Sequence, residues 1–434
     1  MINPATLKGF RDLLPEAATA RNGLIRLLEG TFEAFGFVPI DTPALEYAEV
    51  LLGKGGGETD KQVYRFYDQG NRDVAMRYDL TVPFARFMAA HRPDLYLPFK
   101  RYHIAKVWRG ENTQRGRYRE FVQCDFDIVG CDTVSADFEI LHLMVESLKS
   151  LDVKAFHIEF SHRGILNRFL RRIGLAEQAV EILRIIDKSA KVGESGIRGL
   201  LDPLAGADKA EQILDFIQAE GSFFDTLEKL TRLAGGPAED TQRITELQAL
   251  IEELELGRYF RLNPSITRGL DYYTGLVYET YLDEAPGIGS VCSGGRYNDL
   301  ASLYTKETIP GVGSSIGLDR LLAALEEGRR ASRAQPKPAV LILFMDERYL
   351  GRYHRMASTF REAGLRAEVF AEKKKLSKQF QMAEKKGISF ALICGESEMA
   401  QGTVTLKDLA KRENHTDLSV TEAIEKVRRL SRSR

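Results

Sequence analysis

The residues best equipped for chemistry fall in four short stretches. The densest, RGENTQRGRYREFVQCDFD, runs from Arg109 to Asp127. It reads as a strand end, a loop carrying Gln114, Arg115, Gly116 and Arg117, and a returning strand. At period two, Phe121, Gln123, Asp125 and Asp127 share one face of the second strand, and Arg119 extends it. Three acceptor-bearing groups and an arginine are poor core material. Beside an arginine-bearing loop they suit a grip on a polar ligand, with Phe121 as a stacking surface; a solvent-facing strand with paired charges is the plainer alternative. In AMRYDLTVPFARF, a strand places Asp79 and Thr81 on one side, a carboxylate and a hydroxyl able to hold an ammonium group, although taken alone a purely structural pair is the favoured reading. In RGLDYYTG, Arg268, Asp271, Tyr272 and Tyr273 crowd the start of what otherwise reads as a half-buried strand, LVYETY. In GVGSSIGLDRLL, Gly311, Gly313 and Gly317 let a ligand or another backbone come close, and Arg320 enters the first turn of a helix.

Other chemistries are missing from the pattern. There is no Gly-Lys-Ser/Thr after a glycine-rich loop and no G-x-G-x-x-G opening a βαβ unit. A nucleoside triphosphate would therefore be held by arginines, and Arg109, Arg268 and Arg320 qualify because guanidinium matches phosphate in two-point contacts. No Ser/His/Asp or Cys/His arrangement offers a nucleophile. Cys124, Cys131, Cys292 and Cys394 are scattered without a C-x-x-C pair, and read as reduced thiols of a cytoplasmic protein with no metal site from a protein motif. The N-terminus lacks the pattern of a secretory signal, and no apolar run approaches the ~20 residues of a membrane span, so no membrane partner is expected.

The elements that must position these residues follow from length and rhythm. At 434 residues, two or three domains are expected. Leu24, Leu28, Phe32 and Phe35 share one face of a helix over residues 20–35, which leads into a strand bearing Pro39 and Pro43, an edge or an interface. Strand-like segments follow as far as KAFHIEFSH. Residues 162–262 turn helical, and strands resume at RGLDYYTGLVYETYL and GSVCSGGRYNDL. Helices set between blocks of strands imply a mostly antiparallel sheet with a helical insertion. The charged segment EEGRRASRAQPKP, residues 326–338, reads as a hinge. Beyond it strands and helices alternate in a compact α/β domain over 337–434, leaving 1–330 as the first domain. Between Lys337 and Arg434 stand 20 basic and 13 acidic residues, a surplus of +7 in a chain of net charge −1. A basic piece on an acidic body suggests an anionic partner.

The order of helix and proline-bearing strand, arginine-loop-phenylalanine hairpin, and glycine-rich strand with its arginine helix resembles class II aminoacyl-tRNA synthetases. RGLDYYTG, with SGGRYNDL downstream, resembles the histidyl-tRNA synthetase family within them, and the resemblance covers nearly the whole chain. It implies an α+β catalytic domain and a C-terminal α/β anticodon-binding domain. The implied activity is ATP-dependent ligation of L-histidine to tRNA(His) through histidyl-adenylate, with Mg²⁺ carried by ATP, in a cytoplasmic homodimer whose interface includes Pro43. By the same resemblance Arg109 and Arg268 act at the α-phosphate. Arg109, Glu111, Phe121 and Arg320 bind ATP, and Asp79, Thr81 and Gln123 hold the α-amino group of histidine. Asp127 and Tyr273 bond the imidazole, while Arg268, Tyr272 and Tyr297 complete the histidine site. Gln114 and Arg115, with Lys373, Lys374 and Lys378 in the second domain, face tRNA; for any one of these lysines taken alone a solvated helix face is the favoured reading. Asp79 and Asp127 stand where many bacterial members carry glutamate, which implies a slightly different pocket geometry. The alternative function is a synthetase-like regulatory subunit of ATP phosphoribosyltransferase that senses histidine, a class that usually lacks the basic tail and the ATP-binding residues retained here.

Overall fold

The computed structural model describes residues 1–53, 61–267, 273–298, 300–327 and 339–432. Arg268, Asp271 and Tyr272 lie outside them. The chain divides into two compact units, Met1–Arg333 and Ala334–Arg434.

The first unit opens with α1 (Pro15–Ala34), β1 (Val38–Pro39), β2 (Leu45–Tyr47), α2 (Ala48–Leu52), β3 (Arg65–Tyr67), β4 (Asp73–Met76) and α3 (Thr81–Ala90). It continues with β5 (Phe99–Trp108), β6 (Glu120–Val129), α4 (Val134–Ser150) and β7 (Phe156–His162). Six helices follow: α5 (Arg163–Arg172), α6 (Ala179–Ile186), α7 (Ser189–Ala205), α8 (Ala207–Ile217), α9 (Phe223–Leu233) and α10 (Glu239–Glu253). β8 (Phe260–Leu262), β9 (Leu276–Leu282), β10 (Cys292–Tyr297), β11 (Gly311–Gly317) and α11 (Leu318–Glu327) complete it.

Eight of these strands form one sheet in the order β1-β5-β6-β11-β10-β9-β7-β8. β1 runs parallel to β5 and β8 parallel to β7; the other neighbours are antiparallel. Alternation gives the sheet two unlike faces. Cys124, Phe126 and Ile128 of β6, Val312 and Ile316 of β11, and Tyr278 and Leu282 of β9 join one core. α1 adds Leu28 and Phe32 to that core, and α4 adds Ile140, Leu141, Met144 and Leu148. α4 starts where Thr133 Oγ1 accepts the Ala136 N–H at 3.3 Å, satisfying one of the helix's free donors. The opposite face of the sheet carries the polar side chains.

The second unit holds a five-stranded sheet, β13-β12-β14-β15-β16, formed by β12 (Ala339–Ile342), β13 (Arg366–Val369), β14 (Phe390–Ile393), β15 (Val404–Asp408) and β16 (Glu413–Leu418). Its helices are α12 (Leu350–Glu362), α13 (Leu376–Lys385), α14 (Glu396–Gln401) and α15 (Val420–Arg432). The strand-helix alternation expected after the hinge is present, but β16 escaped it. ENHTDL is polar and largely exposed, an edge strand held by its pairing with β15 rather than by burial.

Four expectations are corrected. β9 is buried on both faces rather than half-buried: Leu276, Tyr278 and Leu282 enter the core, and Val277 and Glu279 on the opposite face are covered as well. The proline-bearing strand shrinks to Val38–Pro39, an edge pair on β5. Asp79 and Thr81 are not on a strand: Thr81 is the first residue of α3. Arg119 precedes β6, and its Nε donates to the Glu111 carbonyl at 3.2 Å, bracing the hairpin instead of extending its polar face.

Candidate functional site: a charged face across the large sheet

β5 and β6 pair without interruption from Phe99↔Val129 to Trp108↔Glu120, so the period-two face of β6 stays intact. Register carries that face across the sheet. His103, Asp125, Ser315, Ser293, Glu279 and Glu159 stand opposite one another on successive strands. Arg101, Asp127, Gly313, Gly295 and Val277 form the neighbouring row.

Where β6 begins, a cleft is lined by Arg109, Glu111, Arg117, Phe121, Gln123, Ser290, Ser293, Ser315 and Arg320. Arg109 donates from Nε to the Tyr78 carbonyl at 3.1 Å; its guanidinium lies 4.2 Å over the Tyr78 ring and 5.1 Å over that of Phe121. Arg320 donates to the Ser290 carbonyl. Burial, then the nearby Arg117 and Arg109, push Arg320 down to about 10 against the opposing pull of Glu111. Cations that depress the basicity of Arg320 mark a cleft short of negative charge, which a polyphosphate would supply. Asp319, beside Arg320, accepts the Val122 N–H at 2.7 Å and pairs with Arg11, locking the start of β6 to α11.

Further along β6 the sign reverses. Gln123 Nε2 donates to Ser315 Oγ at 2.7 Å, which fixes the amide and leaves Oε1 buried without a hydrogen-bond partner among the described residues. Asp125 Oδ1 is likewise buried and, among the described residues, meets no hydrogen-bond donor within bonding geometry. Asp127 accepts from the Tyr297 hydroxyl, and its other oxygen lies 2.7 Å from Arg101 Nη2 in an ionic contact without hydrogen-bond alignment. Arg101 is wholly buried, 4.1 Å over the Phe84 ring. Asp79 lies just before α3, where Oδ1 accepts the Val82 N–H at 3.0 Å. The glycines of β10 and β11 clear room for these side chains. A Cβ on Gly313 would sit 1.9 Å from Asp127 Oδ1, one on Gly311 2.5 Å from the Tyr297 ring, and one on Gly295 2.9 Å from the Tyr273 ring. The close approach expected at Gly311 and Gly313 is thus made by the protein's own pocket side chains.

Burial raises the carboxylic acids Asp79, Asp125 and Asp127 against the pull of Arg101, and Asp125 reaches about 7. The Tyr273 hydroxyl is pushed up by burial and then by the charges of Asp127, Asp125 and Asp79. An ammonium ion would relieve all three acids, and the buried Gln123 and Asp125 oxygens are acceptors for it. An acid raised in the fold destabilises the protein as pH climbs from its unfolded value, ~3.9, to its folded one. Asp125→Asn should therefore gain stability relative to wild type between about pH 4 and pH 7, with a constant difference above. Urea unfolding of both proteins at acidic and alkaline pH reads this directly; a pH-independent difference would contradict the burial of an ionisable Asp125.

A model of the histidyl-tRNA synthetase family matches residues 9–321, and one of the anticodon-binding domain matches residues 339–430. The chain belongs to the histidyl-tRNA synthetase family. The histidine–tRNA ligase of Treponema denticola is 49% identical to it over 99% of this chain and 98% of its own length. That of Rhodopirellula baltica is 46% identical over 95% of each. The crystal structure of histidyl-tRNA synthetase from Nostoc sp. PCC 7120 superposes with a TM-score of 0.86 at 31% identity, over 99% of this chain and 100% of that one. The fold accordingly is a class II catalytic domain with a large mixed sheet, followed by an anticodon-binding domain with its own sheet.

Against that family background this face divides cleanly. Arg109, Glu111, Phe121, Gln123 and Arg320 share the cationic cleft. Asp127, Tyr273 and Tyr297 share the carboxylate end, with Asp79 among the charges acting on Tyr273 and Thr81 at the start of α3. Gln114 and Arg115 are exposed at the hairpin tip, where Arg115 donates to the Ala323 carbonyl at 3.5 Å. In the second unit Lys373, Lys374 and Lys378 are exposed at the start of α13, and Lys374 pairs with Glu372. Sequence reasoning missed Arg101, Ser293, Ser315, Glu279 and Asp319. The alternation in FKRYHIAKVW puts Arg101 on one strand face, but its partner Asp127 emerges only from the pairing of β5 with β6.

Proposed function

We propose that this face joins L-histidine to tRNA(His) through histidyl-adenylate. The observation that carries the reading is the change of sign along one strand face. Phe121 and Asp127 are six positions apart on β6, ~20 Å at the usual strand rise, the scale of an extended aminoacyl-adenylate. ATP lies in the arginine cleft with adenine on Phe121 and its amino group toward Glu111, the α-phosphate at Arg109 and Arg268, and the γ-phosphate at Arg320. Histidine lies beyond it, its ammonium at Asp79, Thr81 and Gln123, its imidazole between Asp127 and Tyr273, with Tyr272 and Tyr297 as walls. Mg²⁺ arrives with ATP as part of the substrate; Glu279, a buried carboxylate in register with Ser293 of the cleft, is a hard oxygen donor suited to it.

In the first step a histidine carboxylate oxygen attacks the α-phosphorus and pyrophosphate leaves. In the second a ribose hydroxyl at the tRNA 3′ end attacks the adenylate carbonyl and AMP leaves. Neither step uses a protein nucleophile, so positioning and charge stabilisation by the arginines carry catalysis. A polar pocket that pairs both imidazole nitrogens rejects analogues lacking them by ~10⁴–10⁵ without editing.

Residues 1–330 are assigned catalysis, with 162–262 as insertion, and 337–434 are assigned anticodon binding. A homodimer is supported by exposed apolar groups on and beside the small β2-β4-β3 sheet: Leu45, Tyr47, Phe66, Tyr67 and Val38 of the edge strand. Four free thiols agree with a cytoplasmic location, and among the described residues no helix is long and apolar enough to cross a membrane. Charging tests the reading: ATP, L-histidine and tRNA(His) should yield histidyl-tRNA and AMP. The regulatory alternative predicts histidine binding without AMP. Converting Lys373, Lys374 and Lys378 together to glutamine should weaken charging with a smaller salt dependence, leaving ATP–pyrophosphate exchange unchanged; equal loss in both assays would place these lysines outside tRNA binding.

A further inference from the structure

Arg163 grips the chain on both sides of the segment that carries Arg268 and Tyr272. Its Nη1 donates to the Tyr273 carbonyl at 2.8 Å and its Nη2 to the Thr267 carbonyl at 3.0 Å. Its own backbone N–H donates to the Gly275 carbonyl at 2.9 Å. The side chain is buried, 9% exposed. Sinking a guanidinium is costly unless it is well bonded, and backbone carbonyls away from a ladder need donors. Here one planar fork meets both needs and sets the distance between two carbonyls, which a lysine ammonium does not do.

Arg163 is also the first residue of α5, where the helical insertion leaves the sheet. The same chain ends are tied to the insertion elsewhere. Thr267 Oγ1 donates to the Leu183 carbonyl of α6 at 3.2 Å. The Thr274 N–H donates to the Arg296 carbonyl at 2.8 Å, and the Arg296 side chain shares Asp137 with Arg243 of α10.

We propose that Arg163 is a positioning residue for histidine activation: it holds the Tyr273 backbone so that the ring stays over Gly295 on the pocket face, and couples that placement to the insertion. The proposal rests on the histidine pocket assigned above. Histidine-dependent ATP–pyrophosphate exchange of wild type, Arg163→Lys and Arg163→Ala tests it, with active sites titrated and thermal unfolding recorded. The expected result is a kcat/KM for histidine lowered ~10²-fold in the alanine variant, mostly through KM for histidine, with KM for ATP little changed. Millimolar guanidinium should restore part of that rate, and lysine should remain folded yet impaired. The proposal is overturned if the lysine variant stays within about twofold of wild type. It is equally overturned if activity falls only in proportion to titrated sites at unchanged KM. If the alanine variant does not fold, the lysine variant decides. A wild type inactive with histidine defeats the ligase reading itself, whereas an active wild type with unaffected variants defeats only the role of Arg163.

Discussion

Arg109→Ala is expected to slow histidine-dependent ATP–pyrophosphate exchange by about 10³-fold or more while the protein stays folded. Arg109 is the one described guanidinium assigned to the α-phosphate, where negative charge grows as the carboxylate attacks. Its ground-state contacts are modest, a bond to the Tyr78 carbonyl and stacking over Tyr78 and Phe121, so little stability is lost with it. A guanidinium in that place binds the transition state more tightly than the ground state, so the loss should fall on kcat more than on the KM for ATP. Pre-steady-state adenylate formation separates the two. A loss carried wholly by KM for ATP would make Arg109 a binding group only.

Asp127→Ala should cost both fold and function. Asp127 and Arg101 are a buried pair, 3% and 0% exposed, and removing one partner of such a pair costs about 3–5 kcal/mol. The Tyr297 hydroxyl loses its acceptor at the same time. Asp127→Asn keeps shape and the tyrosine's acceptor but not the charge. It should lose less stability than alanine and still drop kcat/KM for histidine by ~10²–10³, because an amide no longer favours a donating imidazole nitrogen. Urea unfolding and exchange kinetics on both variants check this. A stable, active alanine variant would remove Asp127 from the pocket and show Arg101 to be satisfied by other groups.

Those two residues also show what the sequence could reveal. The alternation Phe121, Gln123, Asp125, Asp127 is a local property, and the uninterrupted pairing of β6 preserves it. The glycine-rich strand and its arginine helix were equally local, as was the helix face of Leu28 and Phe32. Long-range pairing was not local. Arg101 faces Asp127, and Ser315 orients Gln123, only because β5 and β11 flank β6 in that register. Asp79 and Thr81 were misplaced for a different reason: RYDLT reads as a continuing strand until Asp79 accepts the Val82 N–H and starts a helix. Arg163 gave no signal at all. SHRGILNRF looks like an ordinary amphipathic helix start, and the carbonyls that Arg163 binds lie more than a hundred residues away.

A strand face that takes ATP at its arginine end and histidine at its carboxylate end should activate histidine alone. ATP–pyrophosphate exchange by the purified protein, run with each of the standard amino acids in turn, tests it most directly. Exchange is expected with L-histidine, and only background with every other amino acid. Absence of exchange with histidine, or comparable exchange with an amino acid that lacks the two ring nitrogens, would contradict it.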